Sequence, residues 1–131
     1  KVQRRDENRL LQMGRRYLLD GQEPPVERLL QYCGRYLHPQ CGTEAVLSLG
    51  KAVDFIHEGV SGIISVMPFT CMPGTVVSAL LKPLQEDHHH IPCLSLAYDG
   101  LEDTSVRTRL EAFIHQAQQF RNRRSMRNES L

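Results

Sequence analysis

The chain has 131 residues, with 16 Lys and Arg against 15 Asp and Glu, so its formal net charge is only +1. This length predicts one domain with a modest core, and the balanced charge excludes a general attraction to nucleic acid. No apolar run is long enough to span a bilayer and no signal-peptide pattern occurs, which favours a cytoplasmic protein that does not associate with membranes. The first residue is Lys1, inside an amphipathic pattern, so we expect a piece of a longer protein.

Amphipathic helices are predicted in the helical segment 1–58. Their apolar residues recur at the spacing of one helix face, with charged residues opposite. Cys33 falls on the apolar stripe of the second helix, which predicts a small buried hydrophobe. The three helices are predicted at residues 6–19, from Pro25 to Leu37, and from Thr43 to Glu58 with Gly59 as the residue that ends it.

The pattern changes in residues 59–122. Two short apolar runs, 62–67 and 91–97, are rich in residues that favour buried strands. A helix is predicted between them at 75–86, and we expect Pro83 to shorten or kink its last turn. The last helix begins at Asp103 or Thr104, and a frayed or disordered tail is predicted at 123–131. The inner face of this last helix is predicted to contain Val106, Leu110, Phe113, Ile114, Ala117 and Phe120.

This order predicts an α/β fold, a Rossmann-like βαβ unit preceded by two or three helices. Two strands joined by a crossover helix should be parallel, with a right-handed connection. A two-stranded parallel sheet cannot cover both its faces and both its edges. We therefore expect a fragment of a larger fold, in which the early helices, another part of the parent chain or a second copy covers the sheet. A homodimer through an open sheet edge is one such arrangement.

The loop after the first strand is the candidate functional site. It presents Cys71 at the carboxyl end of a strand, where sites lie in α/β folds. Because parallel strands end at one edge, Cys71 and the Tyr98–Asp99 pair should face a common crevice. The N-terminus of the following helix, near Thr75, favours the thiolate form of a nearby cysteine. The alternative is a thiol that is simply packed in a turn.

Three uses of Cys71 can be compared. A phosphatase C-x5-R loop requires an arginine where Val77 stands, which argues against it. A Cys–His hydrolase requires His57 or the run 88–90 to lie close in space. A metal or cluster ligand requires further ligands from elsewhere, and nothing in the sequence conflicts with that use.

Other chemically suggestive residues have simpler interpretations. The run His88–His90 is more typical of a solvated loop than of a metal site, because adjacent residues do not all turn toward one ion. Arg107 and Arg109, with Glu111, favour a salt-bridged helix face over a position in the crevice. The arginines near both ends of the chain predict solvated helix faces and not a nucleic-acid arm. No glycine-rich phosphate loop is present, so the chain contains no ATP site of its own.

Three sequence blocks together resemble a known family. They are Gly62-Ile-Ile-Ser-Val-Met-Pro-Phe-Thr-Cys-Met-Pro-Gly74, Ile91-Pro-Cys-Leu-Ser-Leu-Ala-Tyr-Asp-Gly100 and Thr108-Arg-Leu-Glu-Ala-Phe113. This combination is similar to the carboxyl-terminal region of large acyl-CoA dehydratase activase-related proteins, the activators of 2-hydroxyglutaryl-CoA dehydratase. That region in turn resembles the cluster-bearing subunits of 2-hydroxyacyl-CoA dehydratases and benzoyl-CoA reductases.

The resemblance implies a Rossmann-like domain in which Cys71 is one ligand of a 4Fe-4S-type cluster. The remaining ligands would come from other domains, and Cys33, Cys41 and Cys93 match no ligand motif. ATP would act only through upstream domains that are missing here. The implied function is ATP-coupled, low-potential electron transfer toward acyl-CoA dehydration or reduction, with the rest of the parent chain and an acyl-CoA dehydratase or reductase as partners. The alternative is a structural or regulatory interaction domain without a cluster.

Overall fold

The computed structural model of the 131-residue chain describes residues 9, 12–13, 24–98 and 104–129. The helix predicted at 6–19 lies mostly outside the described residues, although Arg9, Gln12 and Met13 are helical. The elements are α1 (Val26–Cys33), a 3₁₀ turn (Pro39–Cys41), α2 (Glu44–His57), β1 (Ile63–Pro68), α3 (Met72–Asp87), β2 (Cys93–Tyr98) and α4 (Thr104–Glu129). The α/β fold class is therefore confirmed.

The helices α1 and α2 form a closely packed pair. A side chain at Gly50 of α2 would collide with the backbone of Leu29 in α1, so only glycine allows this approach. The helix α2 ends as predicted, because Gly59 has a φ of +89°, which glycine adopts without strain. The helix α1 ends one turn before the predicted stripe does, and Leu37 packs against the core from beyond the helix.

The core lies between this helix pair, α3 and one face of the sheet. Cys33 is fully buried, which confirms its predicted role as a small hydrophobe. The buried apolar residues are Leu29, Cys33, Ala45, Val46, Leu49, Ala52, Val53, Ile63, Val77, Leu81, Leu84, Ile91 and Leu96.

The strands β1 and β2 form a two-stranded parallel sheet. Their register runs from Ile63 beside Cys93 to Pro68 beside Tyr98, as a βαβ unit requires. The helix α3 covers the face of the sheet from which Ser95 and Met67 project, since Ser78 of α3 hydrogen-bonds to the Ser95 hydroxyl and lies 3.9 Å from the Met67 sulfur.

The helix α3 differs from its prediction at both ends. It begins at Met72 and not at residue 75, because Pro73 is well suited to the first helical turn, where its missing N–H is not needed. The prediction that Pro83 shortens the helix was wrong, since α3 continues to Asp87. An internal proline costs about 3 kcal/mol. Burial of Leu81 and Leu84 on either side offsets this, at about 1.5–3 kcal/mol for each side chain.

The helix α4 continues to Glu129, so the frayed tail predicted at 123–131 is helical as far as that residue. In its C-terminal half, Phe120 packs against the core and Arg124 donates a hydrogen bond to the Val60 carbonyl. Ile114 was wrongly assigned to the inner face and is 53% exposed. The partly buried residues follow an alternating spacing of four and three, and Ile114 falls beside that stripe. These residues are Val106, Leu110, Phe113, Ala117, Phe120 and Arg124.

Candidate functional site

The loop between β1 and α3 is held by main-chain hydrogen bonds. The Phe69 N–H donates to the Tyr98 carbonyl at 2.8 Å, which extends the strand pairing by one residue. The Cys71 N–H donates to the Pro68 carbonyl at 3.2 Å, which closes a tight turn. Thr70 adopts a left-handed φ of +67°, which is uncommon for a residue with a branched side chain. The turn therefore places Cys71 directly in front of α3.

Cys71 is the N-cap residue of α3. Its sulfur accepts a hydrogen bond from the Gly74 N–H at 3.4 Å, and its carbonyl accepts bonds from both the N–H and the hydroxyl of Thr75 at 3.0 Å. The N–H groups of the first turn give this end of the helix a partial positive charge. Cys71 is a half-buried residue, and its sulfur lies beside these N–H groups. This is the environment that the sequence predicts for a functional thiol.

The Cys71 loop and Tyr98 lie at the same edge of the sheet. Pro68 and Tyr98 are register partners at the ends of β1 and β2, and Tyr98 is exposed. The shared edge predicted for the two strand ends is therefore present. Asp99, the other residue expected at the crevice, lies outside the described residues.

His57 and the run His88–His90 lie at the end of α3 opposite to Cys71. His88 follows α3, and its ring lies 6.2 Å from the ring of His57, which itself contacts Tyr32. The helix α3 has 16 residues, so its ends are roughly 24 Å apart at about 1.5 Å per residue. Cys71 therefore has no histidine partner in His57 or the run 88–90, and a Cys–His hydrolase is excluded for these residues.

The pKa of His88 is lowered, first by burial and then by the neighbouring His57. His89 and His90 both adopt left-handed φ values near +58° and are exposed. The three adjacent imidazoles thus do not form one site. Among the described residues, no group of three or more His, Cys, Asp or Glu side chains is arranged to hold a metal ion.

The other cysteines have environments unlike that of Cys71. Cys33 is buried and donates its S–H to the Leu37 carbonyl at 3.3 Å, and burial raises its pKa. Burial also raises the pKa of Cys93, to about 12. Cys41 is exposed in the 3₁₀ turn, on the segment between α1 and α2. The described cysteines therefore do not form a complete cluster site.

The two arginines at the start of α4, Arg107 and Arg109, make different contacts. Arg107 pairs with Glu111 at 3.0 Å on an exposed face, which is the salt bridge predicted there. Arg109 instead donates to the Ser95 carbonyl, at the free edge of β2. No sequence pattern signals this contact, because it depends on how α4 lies against the strand.

A buried carboxylate was also missed. Asp54 is fully buried within α2 and forms ion pairs with Arg28 at 2.8 Å and Lys51 at 3.0 Å. The pairing joins α1 to α2 and lies away from the Cys71 loop. Its role is structural: it satisfies a charge that packing has removed from water. The i,i+3 spacing of Lys51 and Asp54 was the only available signal.

On one face of the sheet, the side chains of β1 are exposed and apolar. Ile64 is 42% exposed and Val66 is 66% exposed, on the face of the sheet that α3 does not cover. Residues 59–81, which contain this strand, include no charged side chain. The prediction that residues 62–67 form a buried strand is therefore wrong for Ile64 and Val66, and the absence of charge in 59–81 was the signal for an exposed apolar surface.

Comparisons of this chain with models of protein families, with curated proteins and with solved structures gave no match. Within the described residues, no helix combines the length and the apolar character needed to cross a membrane.

Proposed function

We propose that Cys71 supplies one thiolate ligand to an iron–sulfur cluster whose other ligands come from outside the described residues. The domain then supports ATP-coupled, low-potential electron transfer toward acyl-CoA dehydration or reduction, in a cytoplasmic protein. ATP is bound by other domains, and the partners are the rest of the parent chain and an acyl-CoA dehydratase or reductase.

One observation carries this proposal: the half-buried Cys71 sulfur caps α3 at the carboxyl edge of the parallel strands. The Gly74 N–H already donates to this sulfur, and such donors tune the reduction potential of a cluster that a cysteine holds. The bound cluster would supply the electron transfer, while this chain orients a sulfur and keeps it accessible.

Anaerobic reconstitution of the intact polypeptide tests the proposal. We expect Cys71→Ser to lower the iron and sulfide content and to change the absorption and electron paramagnetic resonance spectra. Cys41→Ser is the matched control, since Cys41 is exposed and lies in a different loop. Full iron content with an unchanged spectrum in Cys71→Ser would overturn the ligand assignment.

The second candidate is a structural or regulatory interaction domain without a cluster. The exposed apolar edge of β1 favours it, because unpaired strand edges are common binding surfaces. The same reconstitution separates the two candidates, since for an interaction domain without a cluster the iron content is the same in Cys71→Ser as in the wild type.

A further inference from the structure

The main-chain groups of β1 point alternately toward β2 and toward the outer edge of the sheet. The Ile63 N–H bonds to the Pro92 carbonyl and the Phe69 N–H bonds to the Tyr98 carbonyl, so the odd-numbered residues of β1 direct their main-chain groups toward β2. Along a strand, successive residues direct these groups to opposite sides. The main-chain groups of Ile64 and Val66 therefore point outward, away from β2.

The outer edge of β2 is covered, whereas that of β1 is open. Arg109 of α4 donates to the Ser95 carbonyl on the β2 edge, and a guanidinium there opposes strand addition. No backbone hydrogen bond from Ile64 or Val66 to the outer side is present among the described residues. This edge can therefore accept another extended strand.

The sequence of β1 is suited to pair with itself. Around Ser65 the residues are matched in kind: Ile64 with Val66, and Ile63 with Met67. A two-fold axis at Ser65 sets each of these residues opposite its counterpart in antiparallel pairing. Charged side chains are the usual protection of an edge strand against its own copy, and residues 59–81 contain none.

We propose that β1 pairs antiparallel with β1 of a second copy, which forms a four-stranded sheet centred on Ser65. Each Ile64 exchanges both main-chain hydrogen bonds with Val66 of the second copy, and their exposed side chains pack across the pair. Pro68 has no N–H, and in this register it falls opposite Gly62 at the end of the pairing, where the missing donor costs least.

The contact is small. Specific stable interfaces bury about 1,200–2,000 Å², and one six-residue strand edge supplies only part of that. The dimer is therefore reversible and depends on concentration. Antiparallel pairing places the two Cys71 loops at opposite ends of the joined strands, so the dimer does not complete a cluster. This inference is independent of the proposed function.

Sedimentation velocity over a wide range of protein concentrations tests the dimer. We expect the weight-average mass of the wild-type chain to rise from that of the monomer toward twice that value. Val66→Lys places a charge at the centre of the paired edge, on a side chain that is already exposed, and should weaken dimerisation at least about tenfold. Ile114→Lys, on an equally apolar but separate exposed site of α4, should leave the mass unchanged.

The register has its own test. Ser65 and its copy form a close, non-hydrogen-bonded pair, with Cα atoms about 4.5 Å apart, which suits a disulfide. In a chain that also carries Cys41→Ser and Cys71→Ser, which removes the accessible thiols of those two loops, mild oxidation of Ser65→Cys should yield a covalent dimer that the same chain with Ser65 does not form. A wild-type chain that stays monomeric, or a dimer that Val66→Lys leaves intact, overturns the proposal. A reversible dimer without this cross-link overturns the Ser65-centred register.

Discussion

At the scale of single residues, the Cys71 side chain serves as the N-cap of α3. Its backbone is extended, with φ of −73° and ψ of 109°, as an N-cap requires, and the sulfur accepts the Gly74 N–H. A thiol is a weak acceptor compared with a hydroxyl. The cap is therefore weaker than a serine cap at this position would be.

Replacing this weak cap by a strong one should stabilise the fold. Serine is among the preferred N-cap residues, and good caps are worth about 0.5–2 kcal/mol. We expect Cys71→Ser to raise the free energy of unfolding in urea by about 0.5–1 kcal/mol. Cys41→Ser, in the exposed turn, should change it by less than about 0.5 kcal/mol. A marked loss of stability in Cys71→Ser would contradict the capping role and would also weaken this variant as a test of ligation.

The contribution of Asp54 to the stability of the fold depends on its buried environment. Breaking a buried ion pair usually costs about 3–5 kcal/mol, because a charge is left without its partner. Here the partners Arg28 and Lys51 have side chains that are 47% and 28% exposed, so they regain water when the carboxylate is removed.

We expect Asp54→Ala to lower the free energy of unfolding by about 2–3 kcal/mol, which is below the usual range for the reason just given. Arg107→Ala breaks the exposed pair with Glu111 and should cost less than about 1 kcal/mol. Urea denaturation of both variants measures the difference. Equal losses would show that burial of Asp54 does not determine its contribution.

At the scale of elements, the crossing of α1 and α2 depends on one missing side chain. Alanine at Gly50 would meet the backbone of Leu29, which cannot rotate away as a flexible side chain does. Alanine gains about 1 kcal/mol of helix propensity over glycine, whereas overpacking costs about 1–3 kcal/mol.

We expect Gly50→Ala to destabilise the protein by about 1–2 kcal/mol, since the steric cost exceeds the propensity gain. Ser48→Ala, at an exposed position of the same helix, should change the stability by less than about 0.5 kcal/mol. Thermal and urea unfolding report both values. A more stable Gly50→Ala variant would mean that α1 moves aside without cost.

The C-terminal end of α3 introduces a dependence on pH. Burial and His57 lower the pKa of His88 from its ordinary value of 6.5. The unfolded chain therefore binds a proton at His88 more readily than the folded chain does. The stability that neutral His88 contributes is fully present above pH 6.5 and declines as the pH falls toward the lowered pKa of the folded state. The charged or titratable groups that face His88 are His57, Asp87, Arg35 and His89.

Replacing His88 by glutamine should reduce this dependence. We expect the loss of stability of the wild type on acidification below pH 6.5 to be smaller in His88→Gln, as measured by urea unfolding at a series of pH values. His115→Gln, on the exposed face of α4, should retain the wild-type slope. An unchanged slope in His88→Gln would assign the pH dependence to other groups.

At the scale of the whole molecule, the stability is concentrated away from the end of α4. The helix α2 contributes seven buried residues, whereas none of the described side chains in 121–127 is fully buried. Local opening costs least where few apolar contacts must be broken.

Hydrogen exchange should reveal this difference. We expect amides of α2, and those odd-numbered amides of β1 that bond to β2, to exchange with the highest protection, and those of residues 121–129 to exchange much faster. Arg124→Ala removes the bond to the Val60 carbonyl and should accelerate exchange in 121–129 without changing α2. Comparable protection of both regions in the wild type would mean that the end of α4 belongs to the stable core.

The sequence by itself determined the elements that short-range patterns encode. The apolar runs around Ile64 and Leu96, with a helix between them, specified two parallel strands, and this order placed Cys71 at the strand ends. Gly59 marked the end of α2 because its left-handed conformation is a local requirement. These features depend on neighbours in the chain, which the sequence displays directly.

Only the tertiary structure decided which surfaces are covered. The burial of Asp54, the contact of Arg109 with β2 and the continuation of α4 past Phe120 all depend on residues distant in the chain. The open edge of β1 has the same origin, since a strand pattern does not specify how many neighbours the strand has. Such contacts follow from packing in three dimensions, where the free energy is set jointly by elements that no local pattern relates.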